Sequence, residues 1–155
     1  MKEFFEKVAA DWDTMRLAYY DERVIEKMVE ASGLKEGMSV ADVGTGTGFV
    51  AAGLASRVGQ VVAVDNSPKM LKVPRENLGT LGVGNVELVE GDIMDLALDE
   101  RGVDAAFANM VLHHAGNTAA MLKEMARVVR TGGTVAICDE VELPYECMRE
   151  EQAEI

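Results

Sequence analysis

Several routes to a function are closed by what this chain lacks. It has two cysteines, Cys138 and Cys147, and their spacing matches neither a metal site nor a redox motif. They read as one core thiol and one tail thiol, which points to a reducing, cytoplasmic location. No run of 18 apolar residues occurs, so no membrane span is expected. The N-terminus, Met1-Lys2-Glu3-Phe4-Phe5-Glu6-Lys7, has no apolar signal core. There is no basic cluster either: 15 Lys and Arg stand against 27 Asp and Glu, a net charge of −12. Such a surface repels a phosphate backbone, and no nucleic-acid partner is expected. Ten methionines are scattered over core positions rather than grouped, and no metal is expected. Repeats and low-complexity segments are missing too.

What is present is a chain of 155 residues, 48% apolar, enough for one domain with a real core. Its organising stretch runs from Ser39 to Gly48. Val40, Ala41 and Val43 suit a parallel strand buried on both faces. Gly44, Gly46 and Gly48 follow at every second position, letting the backbone turn sharply and a ligand approach it. A helix over 49–58 begins at once and turns free N–H groups toward that ligand. Strand, glycine turn and helix N-terminus together make a nucleotide-cofactor site.

Strand and helix alternate along the rest of the chain. Residues 22–31 form an amphipathic helix with Val24, Ile25, Met28 and Val29 on one stripe, stopped at Gly33. A strand over 60–65 ends in Asp65. Ser67 caps the next helix and Pro68 opens it, while Pro74 is expected to kink or break it. Further strands are expected over 86–89, 103–108 and 134–138. A helix over 118–130 precedes the last of these, with Ala119, Leu122, Met125, Ala126 and Val129 inward. The order predicts an α/β fold: a doubly wound, Rossmann-like, mostly parallel sheet with helices on both faces. Ligands of such sheets sit outside the carboxyl ends of the strands. Asp65, Asp92 and Asn109 all fall at or just after a strand end.

Residues 1–20 are dense in aromatics although the whole chain has 5%. They divide between a helix packed on the domain edge and a lid with Trp12, Arg16, Tyr19 or Tyr20 facing the site. The domain reading is a helical lid segment over 1–21, a cofactor-binding core over 22–141, and a charged, helical tail over 142–155.

The glycine loop departs from the dinucleotide pattern. Phe49 stands where G-x-G-x-x-G has its third glycine, and Asp42 precedes the loop. A carboxylate is ill suited to a pyrophosphate and well suited to a cofactor carrying positive charge. The Gly-Lys-Ser/Thr of the phosphate loop is missing. Asp65 lies about 20 residues after the first glycine, the distance at which a second strand end reaches a ribose.

The chain resembles the class I methyltransferases that use S-adenosylmethionine. Asp42-Val43-Gly44-Thr45-Gly46-Thr47-Gly48 is similar to their first motif and Val62-Ala63-Val64-Asp65 to their second. Gly91-Asp92-Ile93 is similar to the third, and Phe107-Ala108-Asn109 through His113-His114 to the fourth. Arg127 through Gly133 resembles the turn before strand five. The resemblance implies transfer of a methyl group to a small-molecule acceptor by in-line displacement, with S-adenosylhomocysteine as product. It is strongest toward the quinone-biosynthesis type. It implies cofactor contacts from Asp42, Gly44, Thr45, Gly46 and Gly48, from Asp65, Asn66 and Met70, and from Gly91, Asp92, Ile93 and Asn109. His113, His114 and Tyr20 are the candidate bases, and spacing does not choose among them; loop packing competes for both histidines. Asp65 also competes as a helix cap, Asp92 as a turn carboxylate and Asp42 as a partner for loop N–H groups. The usual C-terminal hairpin strands are expected to be missing. That leaves strand five near an exposed edge and makes a homo-oligomer, or a non-catalytic binding module completed by a partner, the alternative.

Overall fold

Five apolar strands carry the fold, and each sends alternate side chains to opposite faces. In β1 (Ser39–Val43), Ala41 and Val43 face one way and Val40 the other. β2 (Gln60–Asp65) divides Val62 and Val64 from Val61 and Ala63. β4 (Val103–Asn109) divides Ala106 and Ala108 from Ala105 and Phe107. Both faces are therefore apolar, as a parallel sheet requires. With β3 (Val86–Glu90) and β5 (Val129–Cys138), the sheet order is β3-β2-β1-β4-β5, and every pairing is parallel. The expected α/β architecture is thus found. This computed structural model describes residues 2–140. The expected tail helix, the boundary at 141–142 and Cys147 lie outside the described residues.

One face is covered by α3 (Arg23–Ser32) and α4 (Phe49–Ala55), through Met28, Val50, Ala51 and Leu54. The other is covered by α6 (Thr118–Val128), through Met121, Met125 and Val128. α5 (Pro68–Thr80) lies along β2 and β3. Residues 2–20 fold as α1 (Lys2–Val8), α2 (Trp12–Met15) and a 3₁₀ turn, Arg16–Ala18, with short connections. Gly33 ends α3 in the left-handed conformation, φ 65°, as its sequence position predicts.

Three local expectations are corrected. α6 turns Met121, Met125 and Val128 inward, while Leu122 is 39% exposed and Ala119 and Ala126 face solvent. Both stripes are apolar at helical spacing, so periodicity alone does not select between them. α5 runs unbroken through Pro74. Proline removes one ladder hydrogen bond there, but its ring is fully buried and seats on the Gly48 backbone. β5 begins five residues early, at Val129, and loops out between the Val103 and Ala105 pairings. The Thr131-Gly132-Gly133 turn therefore sits inside the strand. β5 is one border strand among the described residues, β3 being the other, and Val135 and Ile137 of β5 are each 37% exposed.

Candidate cofactor site

The cavity lies where the carboxyl ends of β1, β2 and β4 converge. Its floor is the glycine loop. The Gly44 and Thr45 amides donate to the Val64 carbonyl at 2.8 and 2.9 Å, binding the loop to the end of β2. Gly44 has φ 73°, and a Cβ there would lie 2.6 Å from both Val111 methyls. Gly48 has φ 82°, and a Cβ there would meet Pro74 at 2.5 Å. Both positions need glycine for backbone conformation and for space together.

Two carboxylates hold this loop. Asp42 is 1% exposed, and one of its oxygens accepts from the Thr45 hydroxyl at 2.6 Å and the Ala51 amide at 3.0 Å. Burial pushes its carboxyl up to about 7, against those two hydrogen bonds and with help from the Asp65 charge. Asp65 accepts from the Gly46 amide at 2.8 Å and the Ser67 amide at 2.9 Å. Burial raises it as well, opposed by its backbone hydrogen bonds. The competing reading of Asp42 as a loop partner is thus a real contact, while Asp65 closes the turn before α5 and leaves the helix cap to Ser67. Both residues also line the cavity.

Of the remaining sequence candidates, Tyr20, Gly44, Thr45, Gly46, Asn66, Met70, Ile93, Asn109 and His114 line the same cavity. Gly48, Gly91, Asp92 and His113 do not border it. Gly48 is turned against Pro74. Gly91 donates its amide to the Asp65 carbonyl at 3.0 Å. Asp92 is exposed and accepts from the Met94 amide at 2.8 Å, so its carboxylate closes a turn. His113 binds Asp139 through Nδ1 at 2.5 Å. Asn109 ends β4, is 8% exposed, and its Oδ1 is buried with no hydrogen-bond partner among the described residues.

The candidate bases differ in environment. Burial pushes the Tyr20 phenol up to about 12, and its oxygen is hydrogen-bonded by the Trp12 indole. Burial, with His113 beside it, brings His114 down to about 4. Its imidazole is therefore neutral near pH 7.

The N-terminal segment borders the cavity through Lys2, Phe5, Trp12 and Tyr20. The Thr47 hydroxyl donates to Asp13 at 2.7 Å, and Phe5 meets the His114 ring edge-on at 5.1 Å. Arg16 does not border the cavity but stacks its guanidinium 3.8 Å from the Phe49 ring centre. Tyr19 borders a second groove, between α3 and β5. Sequence reasoning missed Lys2, Phe5, Phe49, Val50, Met110 and Val111 as cavity residues. Phe49 had a signal in its place beside the loop. Met110 and Val111 lie inside the fourth motif, but the contact of Val111 with Gly44 is purely tertiary.

A family model described as "Methyltransferase domain" matches residues 34–155. The ubiquinone/menaquinone biosynthesis C-methyltransferase of Idiomarina loihiensis is 33% identical over 144 residues, 88% of this chain and 57% of that protein. The demethylmenaquinone methyltransferase of Geobacillus kaustophilus is 32% identical over 146 residues, 90% of this chain and 62% of that protein. The chain thus spans about three fifths of the length of these curated relatives. Among solved structures, a SAM-dependent methyltransferase from Aquifex aeolicus superposes with a TM-score of 0.74 at 31% identity, covering 93% of this chain and 78% of that one.

Proposed function

The chain belongs to the methyltransferase-domain family, and from that premise we propose that it binds S-adenosylmethionine and directs methyl transfer to a small-molecule acceptor. The observation that carries this reading is the Asn109 Oδ1: a buried acceptor with no donor among the described residues, at a strand end, in the same cavity as the Asp42 and Asp65 carboxylates. A buried polar atom left unpaired is costly, and a wall of acceptors suits a ligand that brings N–H donors and positive charge. The residues present therefore fit a cofactor with an ammonium and a sulfonium group.

In this reading Asp65 offers its remaining lone pairs to the ribose diol, in charge-assisted hydrogen bonds. Asp42 and Asn109 face the cationic end, and Met70 and Ile93 give the adenine apolar walls. Bound here, the cofactor supplies an electrophilic methyl group and a neutral sulfide leaving group. What remains for the protein is orientation and exclusion of water, for which the α1–α2 segment serves as lid. Tyr20 keeps its proton and is not a general base near pH 7, because its phenol is held at about 12. The curated relatives are named for quinone biosynthesis. A flat ring fits the aromatic wall of Phe5, Trp12, Tyr20 and Phe49.

Calorimetry tests the cofactor. S-adenosylmethionine and S-adenosylhomocysteine are expected to bind, and Asp65→Ala to weaken both by about tenfold or more, the equivalent of one charge-assisted hydrogen bond. No heat of binding at millimolar cofactor would sink the reading.

A further inference from the structure

Asp139 follows β5 directly and belongs to none of the sequence motifs. Its Oδ1 accepts from His113 Nδ1 at 2.5 Å and from the Glu140 amide at 2.9 Å, and its Oδ2 accepts from the Leu112 amide at 2.7 Å. One residue earlier, the Cys138 carbonyl accepts from the Met110 amide at 2.8 Å. The end of β5 thus grips the loop after β4 at three points. That grip opposes a strain, because Met110 sits at φ 56°, where a side chain is disfavoured. The loop supplies three walls of the cavity: Met110, Val111 and His114. His114 Nδ1 is buried and has no hydrogen-bond partner among the described residues. Beside it stand the edge of Phe5 and, further along, Trp12.

We propose that Asp139 is a positioning residue, holding residues 110–114 so that His114 Nδ1 meets a hydroxyl group on an aromatic methyl acceptor. The inference rests on the methyltransferase reading and adds the acceptor chemistry to it. With the single proton of the neutral ring on Nε2, Nδ1 accepts from a hydroxyl, whereas an ether of the same shape has no proton to donate. His114 stays unprotonated because burial disfavours its charged form, with His113 adding to this and Asp139 opposing it. The flat apolar remainder of the acceptor then lies against Phe5 and Trp12.

The test uses 1-naphthol and 1-methoxynaphthalene, titrated by fluorescence into the protein saturated with S-adenosylhomocysteine. The unaltered protein is expected to prefer the naphthol by about tenfold, the worth of one hydrogen bond to a buried acceptor. Asp139→Ala removes that preference while changing the ether affinity by no more than about twofold, and His114→Phe removes it too. Asp139→Asn keeps an acceptor for the Leu112 amide but not the charged partner of His113, and it gives an intermediate preference. Equal binding of both probes by the unaltered protein overturns the proposal. So does an Asp139→Ala variant that keeps the preference, or one that loses both probes together. Should Asp139→Ala fail to fold, Asp139→Asn decides, and an unchanged preference there overturns the proposal. Failure of the unaltered protein to bind S-adenosylhomocysteine is a separate result, read before either probe is added, and it removes the methyltransferase reading itself.

Discussion

Asp42 carries the largest electrostatic tension at the scale of single residues. Its folded value of about 7 lies above the ordinary 3.8, so between those values the folded state binds more protons than the unfolded one. Stability from this group is fullest below about pH 4 and is lost as pH rises toward 7. His114 has the opposite sign. Its value falls from 6.5 to about 4, so its contribution is present above pH 6.5 and is lost as pH falls through that window. Asp42→Asn keeps an oxygen for Thr45 and Ala51 and removes the titration. Denaturation between pH 4 and 7 is expected to show the variant gaining on the unaltered protein by on the order of a few kcal/mol as pH rises. A parallel pair of curves would refute this. Gly44→Ala confronts both Val111 methyls and a positive φ. It is expected to cost about 1–3 kcal/mol, with part of the loss recovered by Val111→Ala in a double-mutant cycle.

Secondary-structure elements are decided by burial more than by pattern. Met125 is fully buried on α6 and Leu122 is 39% exposed, although both belonged to one expected apolar stripe. Met125→Ala is expected to destabilise by about 2–5 kcal/mol and Leu122→Ala by less than about 1 kcal/mol, measured by urea titration. Comparable losses would restore the other face. α5 makes the same point with different chemistry. Its start was legible because Ser67 and Pro68 act locally: Ser67 accepts from the Met70 amide at 3.2 Å. Its continuity through Pro74 was not, because that depends on Gly48, which is far away in sequence.

For the whole molecule, the proposed function makes α1 and α2 a lid, and the question is how that segment meets the core. α1 and α2 are joined to it by Thr47–Asp13 and Phe5–His114. Cofactor must pass beneath these contacts to reach Gly46 and Asp65. Saturation with S-adenosylhomocysteine is therefore expected to slow amide hydrogen exchange in residues 2–20 while leaving α6 unchanged. Equal protection of both would mean global stabilisation rather than lid closure.

The sequence by itself determined the strands, the glycine loop and the carboxylates at the strand ends. Those features obey rules that act over a few residues: continuous apolar runs in a buried strand, positive φ at glycine, and polar side chains where strands stop. Asp65 and Asn109 were found that way. The same rule applied to the end of β5 points to Asp139, but nothing in the sequence pairs it with His113. Only the tertiary structure decided that pairing, along with the buried face of α6, the exclusion of Asp92 and His113 from the cavity, and the Val111 contact on Gly44. The physical reason is the parallel sheet, whose crossovers bring together strand ends far apart in sequence. Contacts between those ends depend on how the strands align, which no local pattern records.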